Sequence, residues 1–302
     1  MPEPDGRAGP APSAVFAPGL LDGQVSLVTG GGTGLGLAAS RELLACGARV
    51  LISGRREEVL RDAARNLGPG CDWVAGDIRD PEDAVRMVDA TLDRHGRLDV
   101  LVNNAGGQYF VPAEAIAAKG WKAVLGLNVS GTHLMAETAV ERAMKPAGRG
   151  TIVNVTLSPH HGLPAMTHSS TARAAVEAMT RELAQRWAGD GISVIAAAAG
   201  HFETESIRKY PEQVWRAAAR TVPLGRLGRA EEHAWLIALL ASPVGAAFSG
   251  SVVTLDGARD NWFGPWPPPT LADESGQVPT EARRPKRPER PKPADPPGPA
   301  GR

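Results

Sequence analysis

The chain has 302 residues, of which 42% are hydrophobic and 22% charged, as in globular proteins. Its 33 basic residues equal its 33 acidic ones, which argues against binding to nucleic acid or an anionic membrane through net charge. Two cysteines argue against a disulfide framework, and no apolar run is long enough to span a bilayer. We therefore expect a soluble cytoplasmic protein without a metal site.

Proline is concentrated at both ends of the chain, up to Pro18 and from Pro265 onward. Such segments cannot bury enough apolar surface to offset the entropy lost on ordering. We therefore predict a disordered N-terminal segment over 1–16, one folded domain over 17–264 and a disordered, proline-rich basic tail over 265–302. The tail is expected to be a solvated extension, with a basic contact arm as the alternative.

A glycine-rich segment over 29–36 lies between an apolar run at 24–28 and a segment with helical spacing at 37–44. Glycine tolerates positive φ and lets the backbone approach a ligand closely. A strand, a glycine turn and a helix in this order predict a cradle for a pyrophosphate, and a loose loop is the alternative. The expected contacts are Gly30, Gly32, Thr33, Gly34, Leu35 and Gly36.

The next predicted strand, over 48–53, is followed by Arg55 and Arg56. In a dinucleotide-binding fold the end of this strand lies beside the adenosine ribose, where an acidic residue selects NAD and an arginine accommodates the 2′-phosphate of NADP. No carboxylate occupies the strand end, so the two guanidinium groups favour NADPH. The alternative is that both arginines only begin a solvated helix.

Strands and helices then alternate along the chain. Helices are predicted over 57–67 and 81–94, and strands over 71–78, 98–102 and 192–200. This alternation predicts a doubly wound parallel sheet, whose ligands bind at the carboxyl ends of the strands. Asp77 and Asn104 are therefore expected near the glycine turn.

Taken together, these motifs resemble those of the short-chain dehydrogenase/reductase family. The resemblance is carried by Thr29-Gly30 with Gly34-Leu35-Gly36, Asp77-Ile78, Asn103-Asn104-Ala105-Gly106, Asn128, Gly200 with Thr204, 223–228 and Asp256-Gly257. Within the family, peroxisomal trans-2-enoyl-CoA reductases are the most similar branch and 2,4-dienoyl-CoA reductases come next. The resemblance implies a single Rossmann-like α/β domain, with a seven-stranded parallel sheet between two helix layers, in a homodimer or homotetramer.

The resemblance also implies a site for NADP(H). The glycine turn would hold the pyrophosphate, Arg55 the 2′-phosphate, and Asp77 and Ile78 the adenine. Asn128 would hold a structural water. The residues expected beside the ribose and nicotinamide are Asn104, Ala105, Gly106, Arg173, Gly200 and Thr204.

The catalytic pattern of the family is not retained. Its tyrosine and lysine, four residues apart, are replaced by Ser169 and Arg173, and Thr156 lies at or beside the position of its upstream serine. Ser169 and Arg173 still share one helix face. Arginine supplies fixed positive charge and donors but cannot carry protons, and serine is a poor acid.

A replacement acid must therefore come from elsewhere. His168 is the first candidate, because it adjoins the tyrosine position and histidine titrates near neutral pH. Tyr109 is a weaker candidate that we expect to line the pocket. We expect His160 and His161 to be ordinary loop histidines.

Loss of the tyrosine bears on the reaction. Reduction of a ketone needs a proton on the oxygen, whereas reduction of an α,β-unsaturated thioester gives an enolate that hydrogen-bond donors can stabilise. The predicted function is NADPH-dependent reduction of an enoyl thioester, with hydride transfer to the β-carbon. The alternatives are a carbonyl or alcohol oxidoreductase with a replacement acid, and a homologue that binds NADP(H) without catalysis.

Overall fold

The computed structural model describes residues 11–158, 160–163, 165–205 and 218–261. Its strands are β1 (Val25–Thr29), β2 (Arg49–Gly54), β3 (Cys71–Ala75), β4 (Val100–Asn103), β5 (Gly150–Leu157), β6 (Ile192–Ala199), β7 (Phe202–Glu203), β8 (Gly228–Arg229) and β9 (Val252–Leu255). Seven of them form one parallel sheet in the order β3-β2-β1-β4-β5-β6-β9, while β7 and β8 pair with each other. The predicted seven-stranded parallel sheet is confirmed.

Eight α-helices lie wholly within the described ranges. They are α1 (Gly34–Ala45), α2 (Glu57–Leu67), α3 (Pro81–His95), α4 (Ala118–Leu125), α5 (Gly131–Ala139), α6 (Lys145–Ala147), α7 (Thr167–Trp187) and α8 (Ala230–Ala241). Two π-helical turns, Gly126–Ser130 and Val140–Met144, join α4, α5 and α6 end to end. No helix in the part of the chain that the structure describes is long and apolar enough to cross a membrane.

Apolar side chains cover both faces of the sheet, because successive residues of a strand point to opposite sides. On one face, Val28 of β1 packs in a buried cluster with residues of α1, α2 and α8. On the other face, its neighbour Leu27 packs with residues of α3, α5 and α7. The sequences of the strands are therefore mostly continuous apolar runs, as is typical of a parallel sheet buried between two helix layers. One domain with three layers results.

The strand order reverses direction between β1 and β4, which are neighbours in the sheet although two strands separate them in sequence. From β1 the chain winds outward to β3, and from β4 it winds the other way to β9. At such a switch point the helices leave the sheet on opposite sides, and a crevice opens at the carboxyl ends of the strands. The glycine turn follows β1 and therefore lies at this crevice.

Ordered contacts begin earlier than the predicted domain start at residue 17. Ser13 Oγ donates to Glu42 Oε1 at 2.5 Å and accepts from the backbone N–H of Phe16 at 3.0 Å. Phe16 packs against the core of the first helix layer. The remaining boundaries, in 1–10 and 262–302, fall outside the described residues and stay predictions.

We expect removal of the Asp99 carboxylate to destabilise the fold. It accepts from Val25 N–H at 2.9 Å and pairs with Arg97 at 2.6 Å, at the edge of the sheet opposite the crevice. Asp99→Ala leaves a buried N–H without its acceptor, at a cost of about 1–3 kcal/mol in the free energy of unfolding. Denaturant unfolding measures the loss. Asp62→Ala, which removes only an exposed pair with Arg65, is the control and should cost less than about 0.5 kcal/mol.

Candidate functional site

A cavity of about 790 Å³ lies in the crevice at the carboxyl ends of the strands. It extends from the N-terminus of α1 to the segment after β6. Its lining includes all the cofactor residues that the sequence predicts: Gly30, Gly32, Thr33, Gly34, Leu35, Gly36, Arg55, Arg56, Asp77, Ile78, Asn104, Ala105, Gly106, Arg173, Gly200 and Thr204. Among the predicted catalytic residues, Thr156 and Arg173 also line it, whereas Asn128, His168 and Ser169 do not.

The glycine turn lies close against the loop that follows β4. A Cβ at position 36 would collide with the carbonyl oxygen of Gly30 and with Asn104 Nδ2, so only glycine fits there. Gly30 has a φ of 67°. Asn104 Nδ2 donates to Thr29 O at 2.9 Å, and Asn104 N–H donates to Thr29 Oγ1 at 3.1 Å. The turn is thus held rigidly, and the N-terminal N–H groups of α1 open onto the cavity, which suits a pyrophosphate.

At the other side of the turn, Arg55 and Arg56 line the cavity just before α2. Neither forms a salt bridge within the described ranges, so both guanidinium groups are available to an anionic ligand. The neighbouring Asp77 carboxylate accepts from Arg79 Nε at 2.9 Å, and this pairing lowers the pKa of Asp77 below its ordinary value. These residues fit the adenosine end of a dinucleotide.

Arg173 on α7 is partly buried and lines the base of the cavity. Its Nη1 donates to Val155 O at 2.8 Å, and burial lowers its pKa to about 10, so that it stays protonated at neutral pH. A Cβ at position 106 would collide with Arg173 Nη2 and lie 2.7 Å from Asn128 Oδ1. Gly106 therefore lets the backbone after β4 pass directly over the guanidinium group.

Asn128 is buried in the π-helical turn between α4 and α5. Its Nδ2 donates to the carbonyl oxygens of Gly107 and Val124, each at 2.8 Å, and its Oδ1 accepts from Gly107 N–H at 3.2 Å. Its amide is thus bound to the loop after β4. The side chain positions that loop. The expectation that Asn128 also holds a structural water stays a prediction. A π-helical turn that displaces one residue in this way is typical of functional sites.

The candidate acids are not arranged as the sequence predicted. His168 is buried, and its ring meets that of Tyr109 edge-on, with 4.5 Å between the centroids. Burial lowers the pKa of His168, and neither ring lines the cavity. Ser169 instead donates from Oγ to Gln108 Oε1 at 3.1 Å. Gln108 lines the cavity, and the sequence analysis had given it no role.

Sequence reasoning also missed Glu177. This carboxylate is buried on α7 and accepts a hydrogen bond from Thr156 Oγ1 at 2.9 Å. Its position was open to prediction, because it follows Arg173 by four residues, the same spacing that separates Arg173 from Ser169. All three residues therefore share one face of α7.

The segment after β6 closes the far end of the cavity. His201 lines it, and burial together with the nearby Arg259 lowers the pKa of His201 to about 4, so that it is neutral at pH 7. Apolar side chains contribute the rest of this end: Phe110, Leu163, Met166, Phe202 and Ala218. The sequence also suggests a variable substrate lid over 201–222, of which 206–217 lie outside the described residues. Trp262, Phe263 and Trp266, which the sequence places at the pocket mouth or against a neighbouring subunit, also lie outside them.

The family model described as enoyl-(acyl carrier protein) reductase matches residues 30–258, which contain the whole cavity. The chain belongs to the short-chain dehydrogenase/reductase family. The members of this family are oxidoreductases that bind a nicotinamide cofactor.

Three relatives are similar over most of their length. A peroxisomal 2,4-dienoyl-CoA reductase of Danio rerio is 34% identical over 80% of this chain and 83% of its own. A probable 2,4-dienoyl-CoA reductase of Bacillus subtilis is 33% identical over 82% of this chain and 100% of its own. The solved structure of a citronellol catabolism dehydrogenase of Pseudomonas aeruginosa has a TM-score of 0.73 and 38% identity, covering 82% of this chain and 98% of that one.

These names refine the resemblance. The sequence analysis ranked trans-2-enoyl-CoA reductases first and 2,4-dienoyl-CoA reductases second, whereas both enzymes above with an acyl-CoA in their names are 2,4-dienoyl-CoA reductases. Both kinds of enzyme act on a conjugated acyl thioester.

We expect Gly36→Ala to weaken nucleotide binding strongly. The added Cβ would displace Asn104 or the Gly30 carbonyl group and so distort the turn. Gly189→Ala is the matched control, because a Cβ at that position meets nothing within 4 Å. Fluorescence titration with NADPH should give a Kd at least about tenfold higher for Gly36→Ala, an energetic loss of about 1.4 kcal/mol. Equal affinity in both variants would contradict the assignment of the turn.

Proposed function

We propose that this protein reduces an α,β-unsaturated acyl thioester with NADPH, by hydride transfer to the β-carbon. The main observation that supports this proposal is the chemistry of the cavity wall beside Arg173. This wall offers hydrogen-bond donors and fixed positive charge, and no tyrosine lines the cavity in the described ranges.

Gln108 is the central donor in this proposal. Because its Oε1 accepts from Ser169, its orientation is fixed and its Nε2 remains to donate into the cavity. An amide N–H can stabilise a thioester enolate oxygen but cannot protonate an alkoxide. The replacement of the family's tyrosine by Ser169 therefore favours enolate chemistry over reduction of a ketone.

The bound cofactor would supply the hydride from its nicotinamide ring. The chain's own residues would bind and orient it: the glycine turn at the pyrophosphate, and Arg173, beneath Gly106, at the nicotinamide ribose. Arg55 and Arg56 support NADPH as the reductant, because neither guanidinium group is held in a salt bridge within the described ranges. The apolar side chains beyond Phe110 suit an acyl chain.

A conjugated dienoyl thioester is a second candidate substrate, which the names of the relatives from Danio rerio and Bacillus subtilis favour. Hydride would then reach the δ-carbon, and the negative charge would again be delocalised onto the thioester oxygen. The same donors serve both reactions. The acyl carrier, CoA or acyl carrier protein, is left to experiment.

A substrate panel tests the proposal. We expect NADPH oxidation with crotonyl-, 2-decenoyl- or 2,4-decadienoyl-CoA, and little with ketones or 3-oxoacyl thioesters. Product analysis by mass spectrometry after transfer from 4-deuterated NADPH locates the hydride on the β- or δ-carbon. Preference for a carbonyl substrate would contradict the proposal, and so would tight NADPH binding without turnover on any member of the panel.

Arg55→Ala should weaken NADPH far more than NADH. Loss of a charged hydrogen bond to the 2′-phosphate costs about 1.5–3 kcal/mol, which raises the Kd of NADPH by roughly 10- to 100-fold. Arg65→Ala, an exposed arginine on α2 outside the cavity, is the matched control. Isothermal titration with both nucleotides measures the effect. Equal losses for NADPH and NADH would remove the assignment of Arg55.

Gln108→Leu should slow turnover and leave the NADPH affinity unchanged. Removal of one donor to a developing oxyanion costs about 10²–10³ in kcat. Ser169→Ala, which releases Gln108 without removing it, should produce a smaller loss in the same direction. Steady-state kinetics with an enoyl-CoA check both values. An unchanged kcat in Gln108→Leu would assign the oxyanion to other donors.

A further inference from the structure

A continuous series of side chains leads from the cavity toward the surface. Thr156 lines the cavity and donates from Oγ1 to Glu177 Oε1 at 2.9 Å. The same carboxylate oxygen lies 3.1 Å from His160 Nε2, and His160 Nδ1 lies 2.7 Å from Asp260 Oδ2. Glu177 is buried, whereas the His160 side chain is 32% exposed. The series therefore connects the cavity with solvent.

The solvent end of this series is held in place from two directions. The backbone N–H of His160 donates to Asp260 Oδ1 at 2.6 Å, so Asp260 binds both the ring and the main chain of one residue. Asp260 N–H in turn donates to Asp256 Oδ2 at 2.7 Å, and Ser158 Oγ donates to the same carboxylate. The loop after β5 is thus tied to the segment after β9. His160 is not the ordinary loop histidine that the sequence suggested.

The surroundings of the ring favour its protonated form. Each ring nitrogen faces a carboxylate oxygen, so the imidazolium can donate on both sides. Burial opposes the charge, but the hydrogen bonds and the charges of Asp260 and Glu177 outweigh it and raise the pKa of His160 above its ordinary value. His161 lies 3.7 Å from the same Asp260. The other charged or titratable groups of this region are Asp256, Arg259 and His201.

We propose that His160, oriented by Asp260, is the solvent end of a proton path that runs through Glu177 to the Thr156 hydroxyl and supplies the proton consumed in each reduction. This inference rests on the proposed function. Proton transfer along this path depends on the direction of the hydrogen bond between Thr156 and Glu177. While Glu177 is ionised, Thr156 donates to it and presents only lone pairs to the cavity. When Glu177 is protonated, it can donate to Thr156, whose own hydrogen then turns toward the substrate.

The step balances as follows. Hydride adds to the β-carbon, the carbon–carbon π bond breaks, and its electron pair moves into the enolate. The α-carbon then takes the Thr156 hydroxyl proton, Thr156 takes a proton from Glu177, and Glu177 takes one from the His160 imidazolium. Solvent reprotonates His160. One reductant and one proton are consumed for each saturated thioester formed.

His160→Gln tests the path, with His161→Gln as the matched control. Glutamine can hydrogen-bond but cannot carry a proton, so kcat should fall about 10- to 100-fold while the Kd of NADPH is unchanged. The wild-type rate should fall as pH rises through the pKa of His160, which lies above the ordinary value for histidine. His160→Gln should lose that dependence, and His161→Gln should keep it. The solvent isotope effect on kcat should increase in His160→Gln.

A second measurement does not depend on turnover. Titration of His160 by NMR should give a lower pKa in Asp260→Asn, because one of the two carboxylates is then neutral. An unchanged pKa would overturn the path. So would a wild-type enzyme that reduces an enoyl thioester while His160→Gln keeps the same rate and pH profile, and this result would leave the proposed function intact. A wild-type chain that reduces no enoyl or dienoyl thioester would overturn both.

Discussion

The site depends on the contact between the ends of β1 and β4. The Thr29 hydroxyl at the end of β1 accepts from the Asn104 backbone N–H, and Asn104 Nδ2 donates to the Thr29 carbonyl oxygen. Because the strand order reverses between these two strands, their side chains and backbone would otherwise separate where the crevice opens. The contact fixes the glycine turn against the loop that continues to Gly106 and Gln108. The phosphate-binding and reacting ends of the cavity are thereby held in one rigid body.

The sequence predicted the fold, and it predicted residues that line the proposed nucleotide half of the cavity, because both depend on local patterns. Strand periodicity, helix spacing and glycine turns are encoded in short segments, and the carboxyl ends of parallel strands converge whatever their lengths. Arg55, Asp77 and Gly106 could therefore be placed before any coordinates. The family's spacing also identified Arg173, whose guanidinium group donates to Val155 O at the base of the cavity.

The catalytic half was harder to predict, because it depends on the rotation of side chains about α7 and on loops distant in sequence. His168 adjoins the expected acid position, but one residue along a helix turns a side chain by about 100°, and this histidine packs against Tyr109 away from the cavity. Gln108 becomes significant only once Ser169 is seen to bind it. The pairing of His160 with Asp260 joins residues 100 positions apart, and no local pattern predicts it.

One face of α7 keeps the residue spacing of the family's catalytic pattern, although the residue types differ. Ser169 and Arg173 stand at the family's tyrosine and lysine positions, and Glu177 follows Arg173 at the same spacing of four residues. One face of α7 therefore presents a hydroxyl group, a guanidinium cation and a carboxylate in order. In the proposed reaction, serine in the first position separates the proton donor from the oxyanion donor: Gln108 would hold the oxygen, and the buried carboxylate would pass a proton toward the carbon. Ketone reduction requires both roles at a single oxygen. Conjugate reduction allows them to be divided between two atoms, and this is the division that we propose.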